Sequence, residues 1–79
     1  MSVNRELRAV ITFSTTTYAL EAESLCRKER LPGRLIPVPS AISAGCGMAW
    51  STAPESAGAV MKLLKKEKVP FEGITELLL

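Results

Sequence analysis

The apolar positions of this chain recur in two alternating periods, and each change of period marks a new element. Residues 1–6 are polar with no apolar run and read as a flexible lead-in. Arg8-Ala9-Val10-Ile11-Thr12-Phe13 is β-branched and apolar at consecutive positions, as expected of a central strand buried on both faces. Ser14-Thr15-Thr16-Thr17 then supplies hydroxyls able to cap a helix. From there Tyr18, Ala22, Leu25 and Cys26 fall at i, i+4, i+7 and i+8, a single helical stripe with Glu21, Glu23, Arg27, Lys28 and Arg30 largely off it. Leu31-Pro32-Gly33 ends this helix, because proline cannot continue it and glycine suits the exit.

Arg34-Leu35-Ile36-Pro37-Val38-Pro39 follows, with prolines two residues apart. In a strand, backbone N–H groups two apart point to the same side, so both missing donors face one edge. Only an edge strand can spare them. Ser40 to Gly47 is a loop of small residues pinned by Ile42, and Met48-Ala49-Trp50-Ser51 is a short third strand. Thr52-Ala53-Pro54-Glu55 has the hydroxyl-x-x-acid spacing of a capping box, with Pro54 in the first turn. The helix it opens carries Ala57, Val60, Met61 and Leu64 on one stripe and Lys62, Lys65, Lys66 and Lys68 toward its end, where cations suit the helix dipole. Pro70 closes it, and Phe71 to Leu79 is a last strand.

Strand, helix, strand, strand, helix, strand is the βαββαβ order of an α+β, ferredoxin-like sandwich. Its usual antiparallel sheet order is 4-1-3-2, which makes the second strand an edge, in agreement with the two prolines. Both helices cover one sheet face. Val10, Thr12 and Trp50 are the candidates for the uncovered one, which is expected to meet a partner or a second copy of the chain. Residues 1–79 make one domain, with no internal repeat beyond a weak echo between the two βα halves.

Composition removes several classes of function. Among 79 residues the net charge is only +2 and aromatics are scarce, which argues against nucleic acid. No charged-then-apolar leader opens the sequence and no apolar run is long enough to span a bilayer, so no membrane role is expected. The two cysteines, Cys26 and Cys46, are too few for a disulfide scaffold, and the expected setting is the cytoplasm with thiols reduced. There is no histidine, which excludes imidazole bases and His metal ligands, and two thiols are too few for a zinc site. No metal, cofactor or phosphate loop is therefore expected.

What remains is Ser43-Ala44-Gly45-Cys46-Gly47, a soft nucleophile between glycines. Gly45 and Gly47 leave room beside the sulfur and permit backbone geometry closed to other residues. Successive amides there could form an anion-binding concavity. Cys26, on the buried stripe of the first helix, reads as a small apolar side chain.

Three blocks together resemble the selenium/sulfur (Se/S) carrier-like family: Ile11-Thr12-Phe13-Ser14-Thr15, Arg34-Leu35-Ile36-Pro37-Val38-Pro39 and Ile42-Ser43-Ala44-Gly45-Cys46-Gly47-Met48-Ala49. The resemblance covers about residues 9–74. It places the family's cysteine on Cys46 and its following glycine on Gly47. It implies that Cys46 accepts sulfur or selenium from a donor such as a pyridoxal-dependent cysteine desulfurase or selenocysteine lyase. The atom is held as a persulfide or selenylsulfide and passed to an acceptor enzyme. Gly45, Gly47, Ser43 and Arg34 are the expected binding residues around it, Arg34 as the cation for a thiolate. Autonomous catalytic turnover is not expected, since no acid–base pair lies near the thiol. The alternative is a dimerising or ligand-sensing module in which Cys46 has no covalent role. A redox-sensing thiol is a third, weaker reading.

Overall fold

A computed structural model describes residues 6–42 and 44–79. The elements run β1 (Leu7–Thr12), α1 (Thr16–Lys28), β2 (Arg34–Pro37), β3 (Met48–Thr52), α2 (Pro54–Lys66) and β4 (Gly73–Leu78). The four strands are antiparallel in the order β2-β3-β1-β4. This is the ferredoxin-like α+β arrangement expected, the order 4-1-3-2 read in reverse. Residues 1–5 of the expected lead-in lie outside the described residues. Glu6 belongs to the sheet, exchanging backbone hydrogen bonds with Leu79 at 3.0 Å in each direction.

The edge assignment of β2 follows the proline argument. Pro37 lies opposite Met48, and the next residue, Val38, donates its N–H across to Gly47 O at 2.9 Å. Val38 thus faces β3, and the nitrogens of Pro37 and Pro39 on either side of it face the free edge, where no donor is needed. The other edge, β4, carries no proline.

Helix α1 packs on β2 and β3, α2 packs on β1, and the helices touch each other. The core between them contains Ile11, Phe13, Ala19, Ala22, Cys26, Trp50, Val60, Leu64 and Val69. Trp50 corrects the sequence reading. It pairs with Ile11 and with Leu35, is 1% exposed and sits on the helix-covered face rather than the uncovered one. Directly paired residues share a sheet face and neighbours along a strand alternate, so the other face takes Ala49 and Ser51 from β3 beside Val10 and Thr12. Its centre is buried even so, Val10 and Ala49 at 0% exposure. The exposed large apolar side chains instead include Leu7, Ile74 and Leu78, which lie on the helix side of the sheet toward β4.

Thr15 caps α1 as expected, its hydroxyl accepting from the Tyr18 N–H at 3.2 Å. The capping box at α2 does not form. Thr52 is the last residue of β3 and its hydroxyl donates to the Pro32 carbonyl at 2.7 Å, which leaves Ala53 as an N-cap with no side-chain bond. Both helices end in the same way. Arg30 and Lys68 stand in the left-handed region, at φ 57° and 60°. The Leu31 and Val69 N–H groups reach back to the Cys26 and Leu64 carbonyls at 2.8 and 2.9 Å, completing paired Schellman turns. The echo between the two halves is therefore concentrated in Lys28-Glu29-Arg30-Leu31-Pro32 and Lys66-Glu67-Lys68-Val69-Pro70.

Gly33 is not the helix exit that its position after Pro32 suggested. At φ 138° its bare Cα lies on Trp50, and a Cβ there would meet Ser51 O at 2.6 Å and the indole Cε2 and Nε1 at 2.7 Å. Among the described residues, no helix is long and apolar enough to cross a membrane.

Candidate functional site

The connection from β2 to β3 has to carry the chain around one end of the sheet in a few small residues. It begins with a tight turn, the Ile42 N–H bonding the Pro39 carbonyl at 2.9 Å. It returns at Gly47, whose carbonyl accepts from Val38. Cys46 stands just before that return. Its residue is half-buried, packs against the edge of the core cluster, and its Sγ–H donates to the Met48 carbonyl at 3.2 Å. Only the protonated sulfur can make that contact, so nucleophilic use of the thiol releases the side chain from Met48.

The two flanking glycines serve different purposes, and neither adopts a left-handed conformation. Gly45 allows a close approach: a Cβ on it would meet the Ser14 carbonyl at 3.0 Å and Ser14 Cα at 3.1 Å. Gly47 borders open space instead, since a Cβ there would find no atom beyond its chain neighbours within 4 Å. The expectation of special backbone geometry at these positions is thus corrected, and the space a side chain on Gly47 would enter is open. One of the amides expected to face an anion already has a partner within the chain. The Gly45 N–H is already taken by the carboxylate Oε1 of Glu72 at 2.7 Å. Ser43 lies outside the described residues.

Arg34 is not brought to the thiol. It pairs with Ser51, at the far end of β2 and β3 from the Pro37–Met48 pair that borders the cysteine loop. Ser51 lies five positions beyond Cys46, and the strand from Met48 to Ser51 alone spans about 10 Å. Cys46 therefore has Glu72 and Ser14 near its loop rather than the predicted cation. Sequence reasoning missed both. Glu72 carried no signal, since a lone acid before a strand is ordinary, and Ser14 was noticed only as one of several capping hydroxyls.

Cys26 is fully buried in the core, and burial pushes its thiol up to about 11 from an ordinary 9.0. It lies ten residues into α1 from Thr16, about 15 Å of helical rise. Gly45 abuts Ser14, just ahead of that helix, so the two thiols stand toward opposite ends of α1. Cys46 is a half-buried residue of a loop, and Cys26 is sealed in the core.

Searches of curated proteins and of solved structures found no match to the chain. The family described as "Putative Se/S carrier protein-like" matches residues 8–76, from the second residue of β1 into β4. That span takes in all four strands, both helices and the cysteine loop, and the chain belongs to this Se/S carrier-like family.

Proposed function

We propose that the chain carries one sulfur or selenium atom on Cys46, as a persulfide or selenylsulfide, between a donor and an acceptor enzyme. The observation that carries this reading is the pairing of a half-buried loop thiol with open space at Gly47 and a second thiol sealed in the core. In sulfur loading, the Cys46 thiolate attacks the outer sulfur of a donor persulfide. A new S–S bond forms to Cys46 as the donor's S–S bond breaks, and the donor leaves as a thiolate. The sulfane sulfur moves without net oxidation, so no external oxidant is needed. Unloading is the same exchange with an acceptor thiolate as the attacking group.

Cys26 bears on the lifetime of the adduct. A neighbouring thiol would attack the persulfide and expel the cargo as a disulfide formed. Burial and protonation of Cys26, together with its separation along α1, oppose that loss. The donors that fit are a cysteine desulfurase or a selenocysteine lyase, which supply sulfur or selenium in this form. The alternative, a binding module that uses the loop backbone, is weakened because Glu72 already occupies the Gly45 amide.

Incubation with a desulfurase and cysteine, or a lyase and selenocysteine, followed by intact mass spectrometry tests the proposal. A gain of one sulfur or selenium on Cys46, removed by reductant and absent in Cys46→Ser, is the expected result. An unmodified wild-type protein alongside a demonstrably active donor overturns it.

A further inference from the structure

We infer that the end of the sheet opposite the cysteine loop holds a second site, a groove for a small oxyanion of the carboxylate or phosphate class, gripped by Arg8 and Arg34. The groove has a volume of about 540 Å³ and lies where the start of β2 meets the end of β3 and the start of β1. Its lining includes Arg8, Arg34, Ser51, Ile36 and two residues that carry a carboxylate, Glu6 by its side chain and Leu79 as the last residue of the sequence.

The two arginines reach the same space from different strands. Arg34 pairs with Ser51, and Arg8 crosses the sheet to that residue, its Nε donating to Ser51 Oγ at 3.1 Å and Nη2 to Ser51 O at 3.2 Å. Ser51 is 2% exposed, so the Arg8 guanidinium is anchored by a buried partner rather than free to swing in solvent. Two of its five N–H donors are used in this way, and the other three are left for a ligand. Arg34 is exposed, with no described hydrogen bond from its side chain.

Two guanidinium groups sharing one groove repel each other unless an anion stands between them. Among the described residues the one ion pair is Arg27–Glu23, on the surface of α1, so Glu6 lines the groove without closing a salt bridge to either arginine. The arrangement is an anchored planar fork, a second, exposed cation and an apolar wall at Ile36. That combination suits an oxygen pair bound bidentately by Arg8 and closed over by Arg34. It is remote from Cys46 and independent of the carrier reading.

The chain's single tryptophan is a natural reporter, because Gly33 on the groove wall rests against the Trp50 indole. The experiment titrates the intact protein with inorganic phosphate and, separately, with acetate, each against sodium chloride at equal ionic strength. Trp50 fluorescence and backbone amide shifts are followed. The expected result is a saturable response to at least one anion, centred on Gly33, Arg34 and Ser51, and which anion saturates tells phosphate from carboxylate recognition. Arg34→Gln, at an exposed position that leaves the fold intact, weakens binding at least about tenfold, the loss of one charge-assisted hydrogen bond. Glu6→Gln tightens it. Responses that follow ionic strength alone, or saturable binding unchanged in Arg34→Gln, overturn the inference.

Discussion

Gly45 donates its amide to Oε1 of Glu72 at 2.7 Å, which ties the cysteine loop to the residue leading into β4, 27 positions further along the chain. The Glu72 N–H in turn bonds the Thr12 carbonyl at 2.7 Å, so the tether is itself held by the sheet. Replacing Glu72 with Ala leaves global stability within about 0.5 kcal/mol, as is usual for an exposed side chain. The loop, however, is released. Amide exchange at Gly45 accelerates and Cys46 alkylates faster, while Glu72→Gln, which keeps an acceptor oxygen, falls between the two. Unchanged exchange at Gly45 in Glu72→Ala would show that the tether does not order the loop.

A second consequence concerns the helix exits. Arg30 and Lys68 hold left-handed backbone conformations that cost an L-residue with a side chain about 1–2 kcal/mol. Glycine adopts that conformation without the Cβ penalty, so Arg30→Gly and Lys68→Gly are each expected to stabilise the fold by about 0.5–1 kcal/mol despite their greater unfolded-state entropy. In a domain of this size that raises Tm by several degrees, about 4–8 °C per kcal/mol. Thermal melts of the two glycine variants, beside Arg30→Ala as a control with no gain, measure it.

The fold was legible in the sequence because periodicity and proline chemistry agreed. The apolar run of β1, the stripes of α1 and α2 and the paired prolines of β2 all point to one topology. The site was legible only in part. Cys46 stood out because few chemistries survive without histidine, but its surroundings depend on register. Arg34 looked close to the thiol and lies at the other end of the ladder. The face of Trp50 was misread for a different reason. In Met48-Ala49-Trp50-Ser51 either phase is allowed locally, and packing chooses the one that buries the larger pair, Met48 and Trp50, toward the helices. The Thr52 hydroxyl fitted a capping box by spacing, and the nearby Pro32 carbonyl captured it instead.

Gly33 gives a third prediction, opposite in sign to the helix exits. Its φ of 138° is closed to L-residues, and an added methyl would lie 2.6 Å from a backbone oxygen and 2.7 Å from the indole, neither of which can move without opening the core. Gly33→Ala is expected to destabilise by about 2–4 kcal/mol, the range for strained backbone combined with overpacking. Urea unfolding followed by Trp50 fluorescence should show a lower midpoint with an unchanged slope. A variant within experimental error of wild type would mean that Gly33 does not rest on Trp50 in solution.

The two thiols predict different behaviour toward pH and reagents. In the native protein iodoacetamide labels Cys46 alone, and Cys26 reacts only once urea opens the core, which peptide mapping of the labelled chain resolves. Burial raises the Cys26 thiol to about 11 in the folded state, above its ordinary 9.0. Well below 9 the thiol is protonated in both states and contributes no pH dependence. As pH rises from about 9 to about 11 the unfolded chain loses this proton before the folded one does. The folded state then binds more protons than the unfolded, and stability falls with rising pH across that window. Cys26→Ala costs stability at neutral pH through the lost sulfur contacts in the core. It also flattens the alkaline decline relative to wild type. Equal slopes in Cys26→Ala and wild type between pH 9 and 11 would show that the Cys26 sulfur reaches solvent and that burial does not hold its proton.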